Sequence, residues 1–302
     1  MANIMGIGNA PCSWGVLEFD VEGDTPGYER VLQEMVASNY AGTELGDWGF
    51  MPTEPDALKA LLAQHQLAML GAFVPVALGN PEALHPGRQT ALKTARLLAA
   101  VAGETPVIVL SDENGTDPIR THHAGRILPT MAFSTPQWET AAHTANQIAL
   151  SVYEETGLQT VFHPHCAGFI ERPEEVNMLM EATHPRILKL CLDTAHCAYG
   201  GGNPIDVIHK YGNRIGHVHF KGYHEGIAAE CREKGLNYFE AIKRGVFCEL
   251  GQSTLNFQAI LDALTDIHYE GWIVVEQDVL PGQGNPLESA KNNRAYLKTL
   301  GL

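Results

Sequence analysis

The feature that most constrains this 302-residue chain is a rhythm: short apolar runs alternate with longer stretches of helical periodicity, with no break in composition. Runs at 4–10, 40–45, 66–76, 106–111, 159–163, 187–192, 215–220 and 272–276 read as strands. Helical stretches follow them. Segments 28–37 and 58–64 space apolar residues three and four apart, 88–101 and 138–155 are longer and Ala-rich, and 174–180, 205–211, 257–264 and 287–300 complete the set. Thr135 followed by Pro136 reads as a helix N-cap with proline at the first helical position. Continuous runs such as Val107-Ile108-Val109-Leu110 and Ile273-Val274-Val275 suit parallel strands buried on both faces. Eight such units predict an α/β fold, a single (β/α)8 barrel over residues 1–302, with insertions around 112–133 and 222–248. The competing fold, an open doubly wound sheet, is usually announced by GxGxxG after the first strand. Here Gly6-Ile7-Gly8-Asn9-Ala10-Pro11 lacks the third glycine, and neither a Walker sequence nor a GxSxG elbow occurs.

Lys and Arg total 20 against 35 Asp and Glu, a formal charge of −15. Phosphate attraction needs an excess of cations, so nucleic acid and anionic membrane surfaces are not expected partners. No apolar window reaches the ~18 residues of a membrane span. The N-terminus lacks a cationic stretch followed by an apolar core, so no signal peptide is expected. The cysteines (12, 166, 191, 197, 231 and 248) form no CxxC pair and read as reduced thiols. A cytoplasmic protein is the expectation.

In a parallel barrel, chemistry gathers at the carboxyl ends of the strands. There the apolar runs end in unusual polar residues: Glu44 after the second, His163 and His165 after the fifth, Asp193 and His196 after the sixth, Glu276 and Asp278 after the eighth. The seventh run carries His217, His219 and Lys221, which strand alternation puts on one side. Carboxylates and imidazoles converging from neighbouring strands suit a divalent transition metal with open positions for substrate oxygens. His219 lies nearer the active rim and is assigned to the metal; His217 is assigned to the lining below.

Each residue alone has an ordinary structural reading. Asp193 precedes Thr194-Ala195-His196 and reads equally as a helix cap. A strand histidine is commonly a hydrogen-bonded core residue, and a strand-end Glu commonly faces water. The same placement on four consecutive strands favours a metal or catalytic cluster. Cys166 and Cys197 beside it read as small apolar filling rather than nucleophiles. Trp14, Trp48 and Phe73, near the ends of the first three strands, are candidate walls of a sugar-sized pocket or ordinary core. The remaining histidines carry no assigned role.

The segments GNAPCSWG, AGTELG, VFHPHCAGFIERPEEV, LDTAHCAYGGGNP, GHVHFKG and GWIVVEQD resemble, in order and over nearly the whole chain, the xylose-isomerase-like TIM barrels. Within that superfamily they are most similar to the inosose dehydratase branch. The resemblance implies a divalent metal, manganese or cobalt first and magnesium or zinc next, held by side chains from strands five to eight. Asp193, His219 and Glu276 match the usual ligands. The strand-five ligand, usually Glu, is replaced by His163 or His165. His196 matches a histidine in the substrate or supporting shell, and Lys221 the lysine of HVHFK, followed here by Gly222 rather than Asp. Barrels of this type often form dimers or tetramers, which makes a homo-oligomer an expectation.

The implied substrate is a polyhydroxylated ketone such as a keto-inositol, the implied reaction a metal-dependent carbon–oxygen lyase dehydration. A base takes the proton beside the carbonyl, a Lewis acid stabilises the developing oxyanion, and an acid protonates the departing hydroxyl. Base candidates are Lys221, which a nearby dication would push towards neutrality, His165 and Glu44; the acid is His196. The same constellation serves a keto-sugar isomerase or epimerase. A non-catalytic sugar- or metal-binding barrel and a phosphate-ester nuclease are the remaining readings.

Overall fold

The computed structural model describes residues 3–17, 25–101, 103 and 105–302. Its strands are β1 (Asn3–Asn9), β2 (Gly42–Glu44), β3 (Ala68–Val76), β4 (Val107–Asp112), β5 (Gln159–Phe162), β6 (Leu188–Asp193), β7 (Ile215–Tyr223), β8 (Phe247–Cys248) and β9 (Glu270–Glu276). The parallel order β6-β5-β4-β3-β2-β1-β9-β7 is closed by pairing of β6 with β7, an eight-stranded barrel. The two-residue β8 runs antiparallel along the tip of β7. Each apolar run expected to be a strand overlaps a barrel strand, and each expected helix is present.

The helices start earlier than their apolar spacing suggests, at Pro55, Pro173, Pro204 and Pro286. The first turn needs no backbone N–H of its own to be bonded, so proline opens a helix ahead of its apolar spacing. Among the described residues, no helix is long and apolar enough to cross a membrane.

Alternation divides each strand between two cores. Ile108 and Leu110 of β4, like Ile273 and Val275 of β9, join the large layer between strands and helices. Val107 and Val109 instead cluster with Val161 and Cys191, and Val274 packs with Ala10 and Leu70. This explains the uninterrupted apolar runs: both strand faces are buried. Leu70 fits only because a Cβ at Gly42 would come within 2.7 Å of its Cδ1, and one at Gly8 within 2.2 Å.

Both insertions carry helices. The first holds a helix, Pro118–His123, whose Arg120 is fully buried. Its guanidinium meets Glu175 through two parallel bonds of 2.9 and 2.8 Å, and Nε donates to the Gly168 carbonyl at 2.7 Å. The second holds helices Glu225–Lys234 and Tyr238–Arg244 before returning as β8. Arg126 of the first insertion donates to the Leu236 carbonyl of the second at 2.8 Å.

Asp112, at the end of β4, accepts from the backbone N–H groups of Leu78 and Phe169, joining the loops after β3 and β5. Burial pushes its carboxyl up to about 7. An unfolded Asp titrates near ~3.9, so between these values the folded state holds the extra proton, and this contribution to stability is lost as pH rises through the folded value. Asp112→Asn removes that dependence. The expected result, read by urea unfolding, is that the stability difference moves in the variant's favour from pH ~5 to pH ~8; a pH-independent difference contradicts it.

Candidate metal centre

Parallel register brings the polar strand ends level. Asp193 pairs with His219 across β6 and β7, and Lys221 with Glu276 across β7 and β9. His163 prolongs β5, its N–H bonded to the Leu110 carbonyl at 2.8 Å. The donor atoms of His163, Asp193, His219 and Glu276 all lie within 4.8 Å of one another, and all four residues are buried. Asp193 Oδ2 is 3.7 Å from His163 Nε2 and 3.9 Å from His219 Nδ1, which is 3.3 Å from Glu276 Oε1.

The residues present fit a divalent ion. Asp193 Oδ2 and His219 Nδ1, both inside the cluster, are buried without an aligned hydrogen bond, an arrangement that costs free energy unless another partner is supplied. His163 Nδ1 is likewise unsatisfied. Two imidazoles and two carboxylates are borderline donors suited to divalent transition metals. Three buried carboxylates (Asp193, Glu276 and Asp278) lie against Lys221 Nζ, and a fourth, Glu44, lies against His217 and His219, so acidic groups outnumber cationic ones around the cavity. Burial opposes ionisation of Asp193, yet Lys221, His196 and His163 hold its carboxyl well below the usual range. Burial also opposes protonation of His219, but the charges around it raise it well above its usual range. Cys191, itself pushed up to about 11 by burial, is neutral, so Glu276 and Glu44 carry that effect.

Asp193 is a helix cap, as its sequence context suggests, and its second oxygen is turned to the cluster. Oδ1 accepts from the N–H groups of Ala195 and His196 at 2.9 and 2.8 Å, capping helix Thr194–Tyr199, while Oδ2 faces the cluster. Glu44 sits beneath: Oε1 accepts from Nε2 of His217 at 2.8 Å and of His219 at 3.0 Å. That contact leaves Nδ1 of His219 to the cluster, the carboxylate–imidazole support common behind metal ligands.

The loop after β5 sorts two further histidines. The Cys166 carbonyl can only accept, so His165 donates to it through Nδ1 at 2.7 Å and carries its lone pair on Nε2. The Cys166 N–H can only donate, so His196 accepts at Nδ1 (3.2 Å) and carries its proton on Nε2. The rings lie 3.9 Å apart between centroids, with opposite tautomers set by one residue's backbone. Ala167 follows with φ 68°, a left-handed conformation costing a side chain ~1 kcal/mol, anchored by its N–H to Glu171 at 2.8 Å.

Lys221 Nζ is buried 3.0 Å from His196 Nε2, 2.9 Å from Asp278 Oδ1, 3.0 Å from Glu276 Oε2 and 3.4 Å from Asp193 Oδ2. Burial favours the neutral amine, but Asp193, Asp278 and Glu276 raise Lys221 well above its usual range. The carboxylates thus favour the ammonium, while the Nε2–H of His196, which can only donate, favours the neutral amine; a dication in the cluster would add to the second effect.

Of the expected pocket walls, Phe73 lines the cavity over this cluster, edge-on to His163 at 6.1 Å. Trp14 and Trp48 do not reach it. Trp14 is buried with its indole N–H on Glu34 at 2.7 Å, and Trp48 is 39% exposed with the Lys93 ammonium 3.9 Å from its ring centre. His217 lies below the cavity, on Glu44, and does not line it. Asp278, quoted at the eighth strand end but given no role, does line it; its position two residues after Glu276 was the available signal. A hollow of about 470 Å³ opens on the outer side of β6, where Lys210 and Tyr211 are tied to Asn177; it shares Asp193 with the cluster, but His163, His219 and Glu276 do not line it.

Residues 23–300 match the family model of the xylose isomerase-like TIM barrel, and the chain belongs to that family. It is 28% identical over 299 residues to an inosose dehydratase of Geobacillus kaustophilus, covering 99% of this chain and 95% of the relative. It is 28% identical over 293 residues to an inosose dehydratase of Clostridium tetani, covering 97% and 96%. Among solved structures, 3-keto-D-glucoside 4-epimerase from E. coli superposes with a TM-score of 0.70 at 17% identity, covering 98% of this chain and 99% of the other.

Proposed function

We propose that this chain is a metal-dependent carbon–oxygen lyase that dehydrates a keto-inositol or a similar polyhydroxylated ketone. The observation that carries the reading is the four-donor cluster with unsatisfied buried atoms, set beside proton-carrying groups on one side of it. His163, Asp193, His219 and Glu276 would hold a divalent ion of the manganese or cobalt class, with His163 rather than His165 as the strand-five ligand. Such an ion supplies Lewis acidity towards the substrate carbonyl.

The chain's own groups handle the protons. His165 is the base: its Nε2 lone pair takes the proton beside the carbonyl, and the resulting imidazolium keeps its Nδ1–H on the Cys166 carbonyl. Lys221 is the acid, its ammonium giving a proton to the departing β-hydroxyl. His196 is not an independent acid, because its Nδ1 already accepts; loss of the Nε2 proton would leave an imidazolate. It instead donates to the amine Lys221 becomes, across 3.0 Å. The substrate loses one C–H and one C–O bond and releases water; His165 and Lys221 return to their starting states by exchange with solvent.

Epimerisation needs proton carriers on opposite faces of one carbon. His165, His196 and Lys221 lie together, which favours elimination. The test is incubation of manganese- or cobalt-loaded protein with scyllo-inosose. A dehydratase gives a conjugated enol absorbing in the ultraviolet. An isomeric ketone without that absorbance points to an epimerase, and bound but unchanged ketone to a sugar-binding barrel.

A further inference from the structure

Resting on that reading, we propose that Asp278 is a positioning residue for Lys221, latched from above by Tyr238 of the second insertion. Asp193 and Glu276 belong to the four-donor cluster, so among the described residues Asp278 is the carboxylate against Lys221 that lies outside it. Its Oδ1 takes the 2.9 Å bond from Nζ, while Oδ2 lies 3.6 Å from His196 Nε2. A charged acceptor fixes the direction of the lysine's long flexible stem.

The aspartate is itself held. Gln277, the residue before it, donates its N–H to the Ser13 hydroxyl oxygen (3.1 Å) and accepts from the Asn293 side chain at its amide oxygen (3.1 Å). The loops after β1 and β9 and the last helix thus fix the backbone on which Asp278 stands. Above it, the Tyr238 hydroxyl lies 3.5 Å from Asp278 Oδ2 and is fully buried. Tyr238 opens a helix whose start is fixed by the reciprocal Asn237–Glu240 capping box, and its ring packs edge-on against His165 at 5.8 Å. Phe247, on the returning β8, places its ring 5.4 Å from Nζ. The insertion therefore bears on the acid through one carboxylate and two aromatic rings.

Asp278→Asn keeps the shape and removes the charged acceptor. The expected result is a kcat ~30–100-fold lower, KM within ~3-fold, and metal per chain unchanged, because the residue orients the acid without binding substrate or ion. Asp278→Glu should recover part of the kcat. In a crystal structure of Asp278→Asn, Lys221 Nζ should leave its place between the carboxylates. Tyr238→Phe should lower kcat by ~3–10-fold, again with KM and metal unchanged. Metal loss in Asp278→Asn would make the residue a ligand; an unmoved lysine or unchanged kcat would show that it does not position the acid. Each of these outcomes overturns the inference. Wild-type protein unable to dehydrate scyllo-inosose would overturn the functional reading instead, and the position of Nζ in the variant would still be read from its structure.

Discussion

Asp193→Asn should leave the protein folded and nearly empty of metal. The amide oxygen can still accept from Ala195 and His196, so the helix cap survives. The Oδ2 position, facing His163 and His219, is replaced by an uncharged NH2 that cannot coordinate. Metal measured by plasma mass spectrometry after dialysis should fall below about a tenth of wild type, and turnover should drop by ~1,000-fold or more. Circular dichroism should be unchanged. Near-wild-type metal and turnover in this variant would remove the ion from the site proposed here.

The second large effect is on stability. Arg120→Met should cost ~3–5 kcal/mol and lower Tm by ~10 °C, because it removes the two-bond partner of a buried carboxylate, leaving Glu175 the longer 3.4 Å contact with Arg172, and deletes the bond to Gly168. Arg120→Met with Glu175→Leu should recover part of the loss, since an apolar pair of similar volume removes the buried charge. Recovery is incomplete: Glu175 also accepts from the N–H groups of Glu171 and Arg172 at the start of its helix, both at 3.0 Å. Urea unfolding reads both proteins. A single-variant loss below about 1 kcal/mol would reduce the pair to an ordinary surface ion pair.

Much of this architecture is legible in the chain before any coordinates. Periodicity identifies the strands because barrel strands are buried on both faces and their helices on one, so Val107–Leu110 and Ile273–Val275 stand out against their flanks. Asp193, His219 and Glu276 are legible for a different reason: parallel register levels the strand ends, so a residue's place in its own strand foretells its neighbours. What escapes is whatever depends on the third dimension of loops. Trp14 and Trp48 stand at strand ends yet turn away from the cavity, one towards Glu34 and the other towards Lys93. Glu44 lines the cavity, but its Oε1 is already taken by two imidazoles. The ordering of the first insertion depends on Arg120 finding Glu175, 55 residues away, which no local pattern announces.

The peptide of Cys166 has a consequence for how such a site can change over time. Which of two touching imidazoles receives a proton and which presents one is decided by an amide and a carbonyl that every residue except proline possesses. No exchange of side chain deletes those groups, so the division of labour is carried by the course of the main chain. That course is kept by the bend at Ala167 and its bond to Glu171. Descendants of this protein are free to drift in the letter at 166, but a loop lengthened by one residue would scramble donor and acceptor together.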